Sequence, residues 1–144
     1  MLAIFLAKLR MSVEEASDEF GTIIEQVYEP DGLTPSERSN RLRHCMEEVM
    51  KKRGFSIHLK LLDETQREEC AGFVVVSLCS NIQTNVCLRT YSTRSHPSST
   101  ITVIEAVLAT CASRSTFSPV PIGERHRRRE YVGAGYGQTI PCAR

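Results

Sequence analysis

The densest cluster of charged side chains in the sequence is a run of arginines near its end. Arg125, Arg127, Arg128 and Arg129 surround a single histidine. Because clustered guanidinium groups attract phosphate, these four side chains are candidate contacts for an anion, in a lipid headgroup or in nucleic acid. The alternative is a solvated loop that joins two strands. The formal net charge is +1 and Tyr131 is the sole adjacent aromatic residue, so nucleic acid is not an expected partner.

Glycines alternate with other residues just after this cluster, at Gly133, Gly135 and Gly137. Glycine adopts positive φ values and permits close backbone approach, so the segment Gly133, Ala134, Gly135 predicts a tight turn. A phosphate-binding loop is not favoured, because the run lacks a Gly-Lys-Ser/Thr ending and a following helix.

Other chemically active side chains show no diagnostic arrangement. The four histidines lie in separate contexts, without an acidic partner at a diagnostic spacing. The six cysteines form no Cys-x-x-Cys pair, so we expect no metal site and no cofactor. Several cysteines lie in apolar runs, which predicts buried, reduced thiols in an intracellular protein. Glu105 is expected to be a polar or capping side chain rather than a catalytic acid.

Two capping boxes predict where the main helices begin, at Ser12-Val-Glu-Glu15 and at Thr34-Pro-Ser-Glu37. The first of these helices should end at the break Pro30-Asp-Gly32, and the second near Gly54. An apolar helix should precede them at residues 1–10. The apolar face of the second capped helix is predicted to consist of Leu42, Cys45, Met46, Val49 and Met50.

Strands are predicted in the second half of the chain. A continuous apolar run at 71–79 indicates a strand buried on both faces, followed by a hairpin-like connection and a strand at 85–91. A helix over 102–113 should turn Val103, Ile104, Val107 and Leu108 towards a sheet. Prolines make 117–122 a short edge segment, and the last strand should begin at Tyr131. This order suits an α/β or α+β fold.

Both ends of the sequence resemble the patatin-like phospholipase family in its fungal form. The segment Glu130-Tyr-Val-Gly-Ala-Gly-Tyr-Gly-Gln-Thr-Ile-Pro141 is similar to the family's strand Tyr/Phe-Val-Asp-Gly-Gly/Ala and the Gly-x-Asn-Asn-Pro turn after it. The opening Met1-Leu-Ala-Ile-Phe-Leu-Ala-Lys-Leu-Arg-Met-Ser-Val-Glu-Glu15 resembles the helix that leaves the family's nucleophile elbow. Between them, Phe73-Val-Val-Val and Thr102-Val-Ile-Glu-Ala also resemble family segments, in the same order.

The resemblance implies a parent activity whose catalytic residues this chain lacks. The family hydrolyses ester bonds of phospholipids and other acyl lipids with a Ser-Asp dyad and without a metal. Gly133 stands where the family has its aspartate, and no Gly-x-Ser-x-Gly elbow is present, so no catalytic residue is assigned. The elbow would lie just before Met1, which predicts a fragment or a degenerate copy.

The implied fold is a partial three-layer α/β fold, with helices packed on a mixed sheet that lacks its N-terminal strands. The expected domain is one incomplete patatin-like domain over residues 1–144. Implied partners are a lipid or membrane surface, the missing N-terminal portion of the domain, or a second copy of the chain. Two alternatives stay open: a non-catalytic interaction module that uses the segment Arg125–Arg129, and a half that completes an active domain with a separate piece.

Composition adds broad limits. The sequence is 41% hydrophobic and 24% charged, as in globular proteins, and its 144 residues suit one domain or part of one. The apolar run at residues 1–7 lacks a preceding basic segment and is too short to span a membrane. These features predict an intracellular, cytoplasmic protein without a signal peptide.

Overall fold

The helices and strands follow from a computed structural model, which describes residues 1–61, 73–78, 85–89, 101–112, 117–122 and 128–133 of the 144. The helices are α1 (Leu2–Ala7), α2 (Val13–Ile23), α3 (Pro35–Lys52) and α4 (Val103–Cys111), and a π-helical turn (Ile24–Tyr28) continues α2. The strands are β1 (Phe73–Leu78), β2 (Asn85–Arg89), β3 (Val120–Ile122) and β4 (Arg129–Gly133).

Both predicted capping boxes are confirmed. Ser12 Oγ accepts a hydrogen bond from the Glu15 backbone N–H at 3.1 Å, and Glu15 Oε2 accepts one from the Ser12 N–H at 2.9 Å. Thr34 and Glu37 make the same reciprocal pair, at 3.2 and 2.8 Å. Each box satisfies backbone donors that a helix start leaves without a partner, which fixes where α2 and α3 begin.

Helix α3 ends as its sequence predicts. Gly54 follows the last turn with a φ of 78°, the left-handed conformation that glycine adopts without strain. The apolar face of α3 is confirmed in full, because Leu42, Cys45, Met46, Val49 and Met50 are all buried.

The π-helical turn was not predicted. The sequence indicated one regular helix up to Pro30, but the hydrogen bond from the Glu29 N–H to the Ile24 carbonyl oxygen, at 3.0 Å, spans five residues. A π turn inserts an extra residue into the helix, so the side chains after it are rotated relative to a regular α-helix.

The described strands form one four-stranded sheet in the order β2-β1-β4-β3. All three neighbouring pairs are antiparallel, so the expectation of a mixed sheet is wrong for these strands. The reason lies in the connections. β1 and β2 form a hairpin. The connection through α4 then runs from β2 on one edge of the sheet to β3 on the other edge, so it does not place two parallel strands side by side.

Val76 lies at the middle of this sheet, opposite Val86 on β2 and Gly133 on β4. Val76 and its neighbour Ser77 are both buried. Successive side chains point to opposite faces of a sheet, so β1 is covered on both faces there, as its apolar run predicted.

Helix α4 is the central helix of the core. It contacts β1, β3, β4 and α3, and its predicted apolar face is confirmed. Ala106 and Ala109 are buried as well, so the helix is covered nearly all round. Its start is held by the segment after α3, because the Val103 N–H donates to the Leu59 carbonyl oxygen at 2.9 Å.

Several boundaries differ from the sequence prediction; α4 and β3, for example, are shorter than the predicted ranges 102–113 and 117–122. The apolar start forms α1, which is shorter than the predicted residues 1–10 and buries Ile4 and Phe5. The last strand begins at Arg129 rather than Tyr131, because Arg129 pairs with Ile122 of β3. Backbone pairing sets this boundary. The Arg129 side chain is exposed, so its charge does not prevent the residue from joining the strand. Within the described ranges, no helix is long and apolar enough to cross a membrane.

Candidate functional site

The end of β4 is where the resemblance places the family's catalytic aspartate. Gly133 is the last residue of this strand and is buried, with its backbone between β1 and the C-terminal turn of α4. Its N–H donates to the Ala112 carbonyl oxygen at 2.6 Å. The strand and the helix therefore meet through their backbones at this position.

A side chain does not fit at position 133. A Cβ atom added to Gly133 would lie 2.6 Å from the Thr110 carbonyl oxygen and 3.2 Å from that of Ala112. The nearer neighbour is backbone, so it cannot rotate away as a flexible side chain would. An aspartate here would also bring a buried carboxylate beside two carbonyl oxygens, which carry partial negative charge.

The sequence prediction for this glycine is confirmed in part. It allowed both close backbone approach and positive φ at Gly133, but among the described glycines only Gly32 and Gly54 have positive φ. Close packing on α4 is the reason for glycine at 133. Ala134 and Gly135, the other members of the predicted turn, lie outside the described residues.

The structure describes two of the four arginines proposed from the sequence as anion contacts. Arg128 and Arg129 are both exposed, and Arg129 is the first residue of β4. Glu130 beside them is exposed too, so the described part of the cluster contains one opposing charge. Arg125 and Arg127 lie outside the described residues.

The end of α4 carries a thiol close to Gly133. Cys111 precedes Ala112 at the end of α4, and its thiol lies near the Tyr28 hydroxyl. Burial raises the pKa of the Cys111 thiol, and burial also raises the pKa of Tyr28 to about 12. Since the thiolate is the nucleophile, Cys111 is a packed thiol rather than an activated one.

The tyrosine ring is held in place on its other side. Tyr28 meets the ring of Phe117 edge to face, with centroids 5.4 Å apart and an interplanar angle of 73°. This contact joins the π turn to the segment before β3, and the proximity of Tyr28 to Cys111 links the π turn to α4.

The cysteines depart from the sequence prediction. Cys45 and Cys111 are free, but Cys87 on β2 is disulfide-bonded, so the expectation of six thiols is wrong. The partner of Cys87 lies outside the described residues. Sequence spacing does not reveal such pairing, because the fold decides which cysteines come together. In the described part of the chain, no three His, Cys, Asp or Glu side chains converge as metal ligands would.

Sequence reasoning missed a groove between the π turn and α3. A cavity of about 630 Å³ opens there, lined by Glu25, Gln26, Pro30, Asn40, Arg41, His44 and Cys45. Cys45 Sγ donates to Gln26 Oε1 at 3.2 Å, and Arg41 donates from a terminal guanidinium nitrogen to the Gln26 carbonyl oxygen at 3.3 Å. The spacing of the arginines on α3 is visible in the sequence, whereas the π turn on the other side of the groove is not.

A second arginine of α3 fixes the end of the π turn. Arg38 donates to the carbonyl oxygens of Val27 at 2.6 Å, Tyr28 at 3.0 Å and Pro30 at 3.1 Å. These carbonyls lie where a helix end leaves acceptors without an intrahelical partner. Arg38 therefore caps the π turn from a neighbouring helix.

Comparison with protein-family models, with curated proteins and with solved structures finds no match to this chain. The patatin-like resemblance consequently rests on the sequence motifs quoted above.

Proposed function

We propose that the chain is a degenerate member of the patatin-like acyl hydrolase family that does not hydrolyse esters. The proposal assigns its helices and four-stranded sheet to part of the three-layer fold of that family. The observation that carries it is the packing of Gly133, because the position that would hold the base has no room for a side chain. Without a carboxylate there, no group deprotonates a serine in the manner of the family.

The sequence supports the proposal independently. It contains neither a Gly-x-Ser-x-Gly elbow nor an Asp-Gly-Gly-Gly-x-x-Gly loop for the oxyanion. Acyl transfer needs a nucleophile, a base and oxyanion donors together. The thiol nearest to Gly133 that is described, Cys111, does not substitute for the serine, because burial raises its pKa.

A hydrolysis assay tests this proposal. The purified chain is incubated with a short-chain nitrophenyl ester and with phospholipid vesicles, beside a heat-treated sample of the same preparation. We expect equal product release from both samples. Faster release by the native chain, lost on heating and carried by the monodisperse protein peak, would refute the proposal.

A second candidate function is binding of an anionic lipid surface through the arginine segment. The exposure of Arg128 and Arg129 favours it, since both guanidinium groups are available to solvent. Basic side chains near an anionic membrane contribute about 1 kcal/mol each. Losing two would therefore weaken binding roughly 30-fold.

Vesicle co-sedimentation tests the second candidate. We expect an Arg128→Gln/Arg129→Gln double variant to lose binding to phosphatidylserine vesicles. The matched control is Arg43→Gln/Lys51→Gln, which removes two exposed charges from α3. Equal loss in both variants would show a general charge effect, and no binding by the unaltered chain would remove this candidate.

Location and self-association stay predictions. The Cys87 disulfide counts against an intracellular location, because reducing compartments keep most thiols reduced.

A further inference from the structure

The groove between the π turn and α3 has the dimensions of a small-molecule site. Its volume of about 630 Å³ falls within the usual range for such sites, roughly 300–1,000 Å³. π-helical turns inside α-helices are also frequent at functional sites.

The groove is built from contacts that fix its two sides. Arg38 holds the π turn through three carbonyl oxygens, and Arg41 holds it through the Gln26 carbonyl. The floor contains Cys45, which is 8% exposed and donates its thiol hydrogen to Gln26 Oε1. Burial raises the pKa of Cys45, which keeps this hydrogen on the sulfur.

The polar groups around the groove are mainly hydrogen-bond donors. Because Gln26 Oε1 accepts from Cys45, its amide nitrogen is left with two N–H groups to offer. Arg41 carries five N–H donors in a planar fork, and its contact with the Gln26 carbonyl uses one of its terminal nitrogens. Asn40 adds a second amide to the same rim.

The opposing charge in the groove limits what those donors can bind. Glu25 lines the same cavity and repels a second negative charge on a ligand. His44 also faces the cavity, next to Arg41. A single carboxylate satisfies the arginine fork with two parallel hydrogen bonds, whereas a phosphate dianion would meet repulsion from Glu25.

We propose that this groove binds a small monocarboxylate with an apolar body. Its carboxylate would pair with Arg41 and the Gln26 amide nitrogen. Its apolar part would lie against Pro30 and the buried Cys45, which provide the non-polar wall. The ligand therefore carries one negative charge, which lies at the rim of the groove, and an apolar part, which lies inside it.

A titration monitored by ¹H–¹⁵N NMR tests the proposal with sodium benzoate as the probe. We expect saturable shifts centred on the amides of Gln26, Arg41 and Cys45, with a Kd of about 1 mM or tighter. Benzyl alcohol, which has the ring without the charge, should bind about 10-fold more weakly. Non-saturating shifts, or shifts centred on Arg128 and Arg129, would overturn the proposal.

Paired variants separate the groove from general charge effects. Arg41→Gln should weaken benzoate binding about 10-fold or more, because a charged hydrogen-bond donor is lost. Arg43→Gln removes an equal charge from an exposed position on α3 outside the groove and should leave the Kd unchanged. Arg41→Lys keeps the charge without the fork and should give an intermediate Kd, which keeps the test decisive if Arg41→Gln misfolds. Equal affinities for Arg41→Lys, Arg43→Gln and the unaltered chain would contradict the proposed site.

Discussion

The backbone of Gly133 runs so close to Thr110 that a Cβ atom at position 133 would lie 2.6 Å from the Thr110 carbonyl oxygen. This contact joins β4 to the end of α4 at the position where the resembled family has its catalytic base. Relief of the overlap requires a shift of either the strand or the helix. Position 133 therefore serves the packing of two elements.

Substituting alanine for Gly133 should destabilise the fold by about 1–3 kcal/mol, as overpacking of a tight site does. Urea unfolding followed by circular dichroism measures the change. Gly21→Ala is the matched control, because a Cβ at Gly21 meets nothing within 4 Å and the residue lies inside α2. Alanine favours a helix over glycine by about 1 kcal/mol, so the control should gain stability. A Gly133→Ala variant that is as stable as the unaltered chain would show that the Gly133 contact is looser than described.

Removal of the Arg38 side chain should destabilise the protein by about 2 kcal/mol. Arg38→Ala leaves the carbonyl oxygens of Val27, Tyr28 and Pro30 without their charged donor. Thermal unfolding measures the loss, and Arg43→Ala, at an exposed position of the same helix, is the control. A melting temperature that falls equally in both variants would mean that Arg38 does not cap the π turn.

The capping boxes should make stability depend on acid pH. Hydrogen bonds from the backbone N–H groups of Ser12 and Thr34 lower the pKa of Glu15 and Glu37, respectively. Since each pKa is lower in the folded chain, this stabilisation is present above the unfolded-state pKa and is lost as the pH falls through the folded-state pKa.

Unfolding between pH 7 and pH 2 tests that dependence. A Glu15→Gln/Glu37→Gln double variant should lose less stability on acidification than the unaltered chain, because its caps do not titrate. Glu14→Gln, which lies outside both capping boxes, should follow the unaltered chain. Identical acid profiles for all three proteins would contradict the assigned pKa shifts.

Counting thiols tests the cysteine chemistry. Without reductant, no more than four of the six cysteines should react with a thiol reagent in denaturant, because Cys87 and its partner are oxidised. Prior reduction should raise the count to six. In the folded chain, Cys45 should react slowly, since it is buried and burial raises its pKa. Six reactive thiols before reduction would exclude the disulfide.

Local sequence signals predicted local structure well. Ser12 with Glu15 and Thr34 with Glu37 are three residues apart, and both boxes form as the spacing indicates. The buried face of α3 follows from helical periodicity in the same way. Capping boxes and helical periodicity occur in many folds, so they determine local structure and not the family.

Contacts between distant segments were not predictable from the sequence. The approach of Gly133 to Thr110, the antiparallel order of the sheet and the oxidation of Cys87 each depend on how separate elements meet. The groove between Gln26 and Cys45 also depends on a π turn, which has no sequence signature comparable to a cap.

Intact mass spectrometry after treatment with a fluorophosphonate, which labels activated serines, tests directly whether any serine of this chain is activated. We propose that no serine in this chain has a catalytic base, since Gly133 stands where the resembled family has that base and has no room for a side chain. We expect an unchanged mass under native conditions. A stoichiometric adduct on one serine, abolished by prior heat denaturation, would contradict it.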